Sequence, residues 1–558
     1  MRLLVVTEKL DAAVDQRDGG ARLIASLQHA FTGRLDVLQF DDNRGKTTGR
    51  LRYPAVGGNR FDRRMANADF IAEKVRDVVQ GYTHVLFVHV SMQFGFADRP
   101  LRGVRTWTLP MFLTPSYEAA GELVPPDYTA LERRTLAGTD RILTPSHFER
   151  RQLVAEYGVR PDRIRVVPRG VDATLLAPRV RQLSTPLRFC SVGSIKRQKN
   201  TLGLIRLFDA LRQLHSGATL RLVGPVQDDR YADLVRDEIA ARGLGAAVTW
   251  QGYVAPHDLA DALADAHMHL SASHCETFGR AIFETLASGL PNIAPLQNNA
   301  AAEFLGQTPY ALFYREEAEA CAQVESLLHD YASRSALALE IGELYDDRFL
   351  ADRLAAEVLE DEAIVVSDFD GTLFHKENAD RTTRCAAAFG SYRRRIVCSA
   401  RPVPDLLAAM ARIGISADFI VGWSGAVVAD GHGRVLWQLG LSAEHTHHLE
   451  SNLPDGRRLP CDAPPLQFAI DGAVDPGRLD LRAELYQGIT FVADWHSSKL
   501  RAVHRLLRHI HWPGRVRAFG DGPYDLELLT YFDGVHLCPP STASTTLRQG
   551  LEVTDDAA

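Results

Sequence analysis

SHCETFGRAIFETLASGLP, residues 273–291, continues a short apolar run, MHLSAS (268–273), and carries two glutamates, Glu276 and Glu284, with seven residues between them. After the first of these, Thr277-Phe278-Gly279 marks the point where a loop turns into a helix. Free amides at a helix N-terminus hold an anion, and a glycine lets a phosphate come close. A carboxylate at each end accepts hydrogen bonds from the hydroxyls of a sugar or ribose. By itself the spacing also describes a helix with two ordinary surface glutamates, so the flanking sequence has to decide.

Outward from this stretch, short apolar strands alternate with helix-period segments. Leu3–Val6, THVLFVHV (83–90) and TDRILTPS (139–146) read as buried strands of one unit. The pattern restarts after IRVVPRGVD (164–172) with PLRFCSVGS (186–194), LRLVGP (220–225) and AVTWQGYV (247–254). Strand–helix alternation predicts parallel, doubly wound sheets, here two in series with a cleft between them. Residues 313–361 are helical in period and lead to a third α/β unit that starts at Ala363. The expected boundaries are 1–168, 169–345, a linker at 346–362, and 363–550.

The ordered set RDGG (17–20), IRVVPRGVD, SVGSIKRQKN (191–200), LRLVGP and the Glu276–Glu284 segment resembles the retaining glycosyltransferases of family 4, which have the GT-B fold of two Rossmann-like domains. That resemblance implies sugar transfer of the hexosyl type with retention of configuration, from a UDP- or GDP-sugar and without a metal. Carried over, Gly19 and Gly20 lie under the donor diphosphate, and Lys199 and Arg197 neutralise it as it leaves. Glu276 holds sugar hydroxyls, the amides of Thr277, Phe278 and Gly279 face sugar and phosphate, and Glu284 holds the ribose. Two positions depart from the pattern. Ser194 stands where an arginine usual in the family follows Gly193, with Lys196 or Arg197 as substitutes. The stretch RTWTLPMFLTPSYEAAGE (105–122) lacks the histidine found beside the transferred sugar, which leaves His89, at a strand end, either as its replacement or as a core residue. The stretch at 44–64, with seven Arg or Lys residues, reads as a grip on a phosphorylated acceptor or as a solvated loop; Arg102 and Arg105 are further candidates.

In the third unit, AIVVS runs into Asp368-Phe-Asp370-Gly-Thr372. A carboxylate at a strand end can attack phosphorus, and a second one two residues later can protonate the leaving oxygen and then activate water. RRRIVCSARP (393–402) ends a strand at Ser399, SSKLRAVHRLL (497–507) places Lys499 at a helix start, and RVRAFGDGPYD (515–525) ends a strand before Asp521 and Asp525. Oxygen donors from Asp368, the Asp370 carbonyl, Asp521 and Asp525 suit Mg²⁺. The set resembles the haloacid-dehalogenase (HAD) phosphatases with a small α+β cap of the C2 type, as in the sucrose-phosphatase and Cof-like branch. The cap is expected at about 430–490, entered through GWSGAVVADGHGRVLWQLG (422–440), and EHTHHL (444–449) reads as an exposed helix. A transferase followed by such a phosphatase resembles the arrangement of sucrose-phosphate synthases. It implies a bifunctional enzyme that glycosylates a phosphorylated acceptor and then removes the phosphate. Two other expectations stand beside it: a phosphatase acting on a different phosphosugar before transfer, or a non-catalytic phosphosugar sensor.

A net charge of −7 offers no concentrated positive surface for a nucleic-acid polymer. Seven scattered cysteines without a CxxC pair, no run near the ~20 apolar residues of a membrane span, and no signal-peptide pattern at MRLLVVTEKL together point to a cytoplasmic protein acting on small molecules. They leave its oligomeric state open.

Overall fold

The computed structural model describes residues 2–8, 19–31, 33–41, 51–54, 57–452, 456–458, 465–473, 475–486, 489–512, 514–537 and 552–553. Two compact units result, Met1–Leu359 and Glu360–Ala558.

The first unit holds two all-parallel sheets. One runs in the order Leu51–Arg52, Leu35–Asp41, Leu3–Thr7, His84–Val88, Arg105–Leu109, Arg141–Thr144 and Ile164–Val166. The other runs Val248–Gly252, Thr219–Val223, Arg188–Val192, Met268–Leu270, Asn292–Pro295 and Ala311–Tyr314. Strands such as Leu3–Thr7 and His84–Val88 are buried along their whole length, as expected where helices cover both faces of a parallel sheet. In each sheet the order reverses beside the first strand, which opens a crevice at the carboxyl edge.

The connector expected at 346–362, within a stretch read as helical in period, holds the helix Asp347–Leu359. Leu354, Ala355, Val358 and Leu359 repeat at helical spacing and pack with Leu3, Val5, Ile24, Leu27 and Trp107, so the chain returns to the first sheet before leaving the unit. Among the described residues no helix is long and apolar enough to cross a membrane.

The second unit is built on an eight-stranded sheet in the order Val435–Gln438, Val427–Asp430, Phe419–Gly422, Arg394–Cys398, Ala363–Asp368, Arg515–Gly520, Val535–His536 and Glu552–Val553. The pairings of Val427–Asp430 with Phe419–Gly422 and with Val435–Gln438 are antiparallel. These strands belong to the core sheet, although the cap was expected to begin near 430. The chain reverses at Trp423–Gly425, where Gly425 has φ +110° and a Cβ would lie 2.3 Å from the Ser498 backbone. The span where a cap was expected holds the helix Ala443–Asn452 and a separate four-stranded antiparallel sheet, Gly456–Arg458, Gln467–Asp471, Ile489–Asp494 and Leu481–Tyr486.

Candidate functional sites

In the first unit the turn at 276–279 is fixed from three sides. Glu276 N–H donates to the Asn298 carbonyl (2.8 Å), its carbonyl accepts from Ala300 N–H (2.9 Å), and the Thr277 carbonyl accepts from the Ser146 hydroxyl (2.7 Å). Gly279 then caps the helix Arg280–Ala287 with φ +85°, a conformation in which a side chain is strained. Phe278 stacks on Phe283, centroids 4.3 Å apart, which turns its ring into the core and leaves its backbone at the turn.

The loop at 195–200 reaches the same place. His274 N–H donates to the Gln198 carbonyl and Gln198 Nε2 to the Cys275 carbonyl, at 2.9 and 3.2 Å. Lys199 Nζ meets Glu276 Oε1 at 2.6 Å. Burial pushes the Glu276 carboxyl up, but the Lys199 charge and hydrogen bond, aided by Lys196, hold it below the usual carboxylate value. Lys196 thus acts on Glu276, whereas the exposed Arg197 lies over the Tyr231 ring at 5.7 Å and not with the pair.

Glu284 accepts from Arg280 Nε at 3.0 Å and lines a cavity of about 390 Å³ with Ser26, His29, Asp172, His257 and Asp347. Gly19 and Gly20 begin the helix Gly19–Ala30 that supplies Ser26 and His29; Arg17 and Asp18 lie outside the described residues. Arg280 escaped the sequence reading, although its i,i+4 spacing to Glu284 was the available signal.

At the carboxyl edge of the first sheet, Arg64 sits in a polar well. Its Nη1 donates to the Tyr117 hydroxyl at 3.2 Å and its Nη2 lies 3.8 Å from Glu8, which also accepts from the Tyr53 hydroxyl at 3.1 Å. His89 is buried with φ +84°; its Nδ1 accepts from Ser91 N–H and its Nε2 lies 3.5 Å from the Tyr117 hydroxyl. Residues 44–50 and 55–56 of the basic stretch lie outside the described residues. Arg102 and Arg105 fall at the opposite end, Arg105 beginning the strand Arg105–Leu109, which removes them from this edge.

Also in this unit, Glu149 is buried with no hydrogen-bond partner for either carboxylate oxygen, and Arg169 Nη1 lacks one too. Burial pushes the Glu149 carboxyl up to about 8, with the Arg169 charge pulling the other way. Because the folded state holds this proton more tightly than the unfolded chain, stability falls as pH rises from about 4.3 through 8. Glu149→Gln keeps the shape and removes the titration. Its melting temperature is expected to change less than wild type between about pH 5 and 8, and to exceed wild type at about pH 8 by an amount reflecting a few kcal/mol. Parallel melting curves for the two proteins would rule this out.

In the second unit four chain segments converge. Asp368 ends its strand, buried, and accepts from Lys499 Nζ at 2.6 Å; Lys499 also donates to Asp525 at 2.7 Å. Thr372 Oγ1 donates to Asp521 at 2.9 Å. Gly371 has φ +82°, and a Cβ there would lie 2.1 Å from Asp521, so the Gly-Thr turn is shaped around that carboxylate. Ser399 is buried, its Oγ accepting from Arg401 N–H at 3.1 Å.

Carboxylate oxygens of Asp368, Asp521 and Asp525 lie within 4.8 Å of one another. Burial, and then Asp525 and Asp521, push the Asp368 carboxyl well above its usual value in spite of Lys499. Burial chiefly raises Asp521 to about 6. Three carboxylates facing a single lysine leave excess negative charge among oxygen-only donors, which fits a hard divalent cation. The Asp370 carboxylate is not part of this cluster; it is gripped by Arg401, a residue the sequence reading missed.

The EHTHHL helix is not uniformly exposed. His445 is buried, with Nε2 2.9 Å from Asp480 and Nδ1 3.7 Å from Asp494, because its helix face packs onto the four-stranded sheet.

Residues 52–175 match the family described as Glycosyltransferase Family 4, and residues 177–340 match Glycosyl transferases group 1. Unit one carries the GT-B glycosyltransferase fold. It is similar to sucrose-phosphate synthase from Thermosynechococcus elongatus, with a TM-score of 0.55 and 16% identity over 64% of this chain and 99% of that one. It is also similar to HepE of Anabaena in complex with UDP and glucose, with a TM-score of 0.52 and 15% identity over 64% and 99%. By sequence, the D-inositol 3-phosphate glycosyltransferase of Acidothermus cellulolyticus is 33% identical over 177 residues, 29% of this chain and 40% of that protein. The chain therefore spans less than half the length of that relative.

Proposed function

We propose that the chain is a bifunctional enzyme. Its first unit transfers a sugar from a UDP- or GDP-sugar to a phosphorylated acceptor with retention of configuration, and its second hydrolyses the phosphate of the product. The observation that carries the second half is the meeting of Asp368, Ser399, Lys499, Asp521 and Asp525 at one sheet edge from separate parts of the chain. The first half is supported by the Lys199–Glu276 pair beside the glycine-capped helix. Two similar proteins bear names that include a phosphorylated sugar or cyclitol, and one was solved with UDP and glucose.

In the transferase, Glu276 accepts hydrogen bonds from hydroxyls of the transferred sugar, while the backbone at Thr277–Gly279 faces the donor phosphate. Lys199 and Lys196 offset the charge that develops as the diphosphate leaves. Glu284, oriented by Arg280, accepts from the ribose. Arg64 offers the acceptor phosphate a fixed cation, and Glu8 accepts from acceptor hydroxyls.

In the phosphatase, Asp368 attacks phosphorus, forming its Oδ–P bond as the P–O bond to the sugar breaks. Asp370 gives a proton to the leaving oxygen, then takes one from the water that cleaves the aspartyl-phosphate. Ser399 and Lys499 hold the phosphoryl oxygens. Asp368, the Asp370 carbonyl, Asp521 and Asp525 would hold Mg²⁺, which when bound offsets phosphoryl charge.

A panel of UDP- and GDP-sugars tests the transferase half. A donor that binds only the folded state raises the apparent stability of the first unit by about 2.7 kcal/mol at about a hundred times its dissociation constant. The expected result is a shift for one nucleotide class, lost in Glu284→Ala; no shift with any nucleotide sugar would count against the reading.

A further inference from the structure

Asp370, whose carboxylate must move protons in this reading, is held by one side chain that the reaction scheme has not used. Arg401 donates from Nε to Asp370 Oδ2 at 2.7 Å and from Nη2 to Oδ1 at 2.5 Å, a two-pronged contact. The guanidinium is itself fixed. It lies over the ring of Phe369, the buried residue between the two aspartates, at 5.6 Å. Its backbone is pinned on both sides: Arg401 N–H donates to the Ser399 hydroxyl, and its carbonyl accepts from Trp423 N–H at 3.0 Å. One Ser-Ala-Arg turn therefore places the phosphoryl-binding hydroxyl and the fork on Asp370 together. Both charged groups are part-exposed, 35% and 39%, whereas Asp368 and Lys499 are buried.

We infer that Arg401 is a positioning residue for proton transfer: it fixes the direction of the Asp370 carboxylate toward the leaving oxygen. A fork makes two parallel hydrogen bonds and sets the plane of a carboxylate, which a lysine's single point charge does not. Without it Asp370 stays in place on its turn but samples rotamers, and proton transfer depends on hydrogen-bond reach to the departing atom. Arg401 neither carries the phosphoryl group nor donates the proton. This inference rests on the phosphatase reading above.

The experiment compares wild type with Arg401→Lys and Arg401→Gln, in Mg²⁺, on an alkyl sugar phosphate and on p-nitrophenyl phosphate. Release of the leaving group is followed in the first turnover. Nitrophenolate departs without a proton, so its release is expected to change less than about threefold, while release from the alkyl phosphate slows about tenfold to a hundredfold. In an Asp370→Asn background the Arg401 substitutions are expected to add no further loss on the alkyl phosphate, since coupled residues are not additive. Equal slowing on both phosphates, or full additivity with Asp370→Asn, overturns the inference while leaving the phosphatase intact. A wild-type chain that releases no phosphate from either compound overturns the phosphatase reading and this inference with it. Unchanged sugar transfer by each variant, with unchanged melting of the second unit, excludes misfolding as the cause.

Discussion

Asp368→Asn is expected to cut phosphate release by about a thousandfold or more while sugar transfer continues, so that a phosphorylated glycoside accumulates. The amide cannot form an aspartyl-phosphate, and no other carboxylate ends that strand. Nor does the substitution threaten the fold. Lys499 keeps its bond to Asp525, and the neutral amide replaces a carboxylate that burial, and then Asp525 and Asp521, already push well above its usual value. The folded state raises the Asp368 carboxyl above its unfolded value, so its ionised form opposes stability at neutral pH; the variant is expected to melt no lower than wild type there. Mass spectrometry of the products, with donor and phosphorylated acceptor supplied, checks the prediction. A dephosphorylated product formed at the wild-type rate would sink the two-step reading. A free sugar acceptor required in place of the phosphorylated one would place hydrolysis before transfer.

How legible each part is depends on where its signal lies. Asp368, Ser399 and Lys499 are readable because each sits at the end of an apolar run or the start of a helix, and a parallel sheet brings such ends to one edge. Arg401 is harder: its side chain meets Asp370 across 31 residues of chain, and only its position two beyond Ser399 hints at a shared turn. His445 cannot be placed from its helix alone, since its partners Asp480 and Asp494 lie far along the sequence. Lys196 and Arg197 are adjacent and equally basic; only the fold shows that Arg197 lies over Tyr231 while the Lys196 charge helps to lower the Glu276 carboxyl. The helical period at Asp347–Leu359 is legible, but its docking on the first sheet is not, because its companions Leu3, Ile24 and Trp107 lie in a distant part of the sequence.

The Lys199–Glu276 pair, also distant in sequence, allows the proposed donor-binding role to be tested against a role in stability. Lys199→Ala and Glu276→Gln are each expected to lower sugar transfer by about 10²- to 10³-fold, the range for removing one group that meets developing charge. Their effects on the fold should differ. Lys199→Ala leaves the Glu276 carboxylate buried without its cation, which costs about 3–5 kcal/mol. Glu276→Gln removes the charge and leaves a part-exposed lysine, which costs less. The sign follows from the lowered Glu276 carboxyl: its contribution is present above the unfolded value and is lost as pH falls through the folded one. Acid should therefore narrow the gap between wild type and Lys199→Ala. The double variant Lys199→Met with Glu276→Gln separates the two roles, because it restores a neutral pair of similar volume. First-unit melting is expected to recover toward wild type while transfer stays lost, and phosphate release by the second unit stays unchanged throughout. Recovery of transfer along with stability would reduce the Lys199–Glu276 pair to a structural ion pair and move the donor site elsewhere.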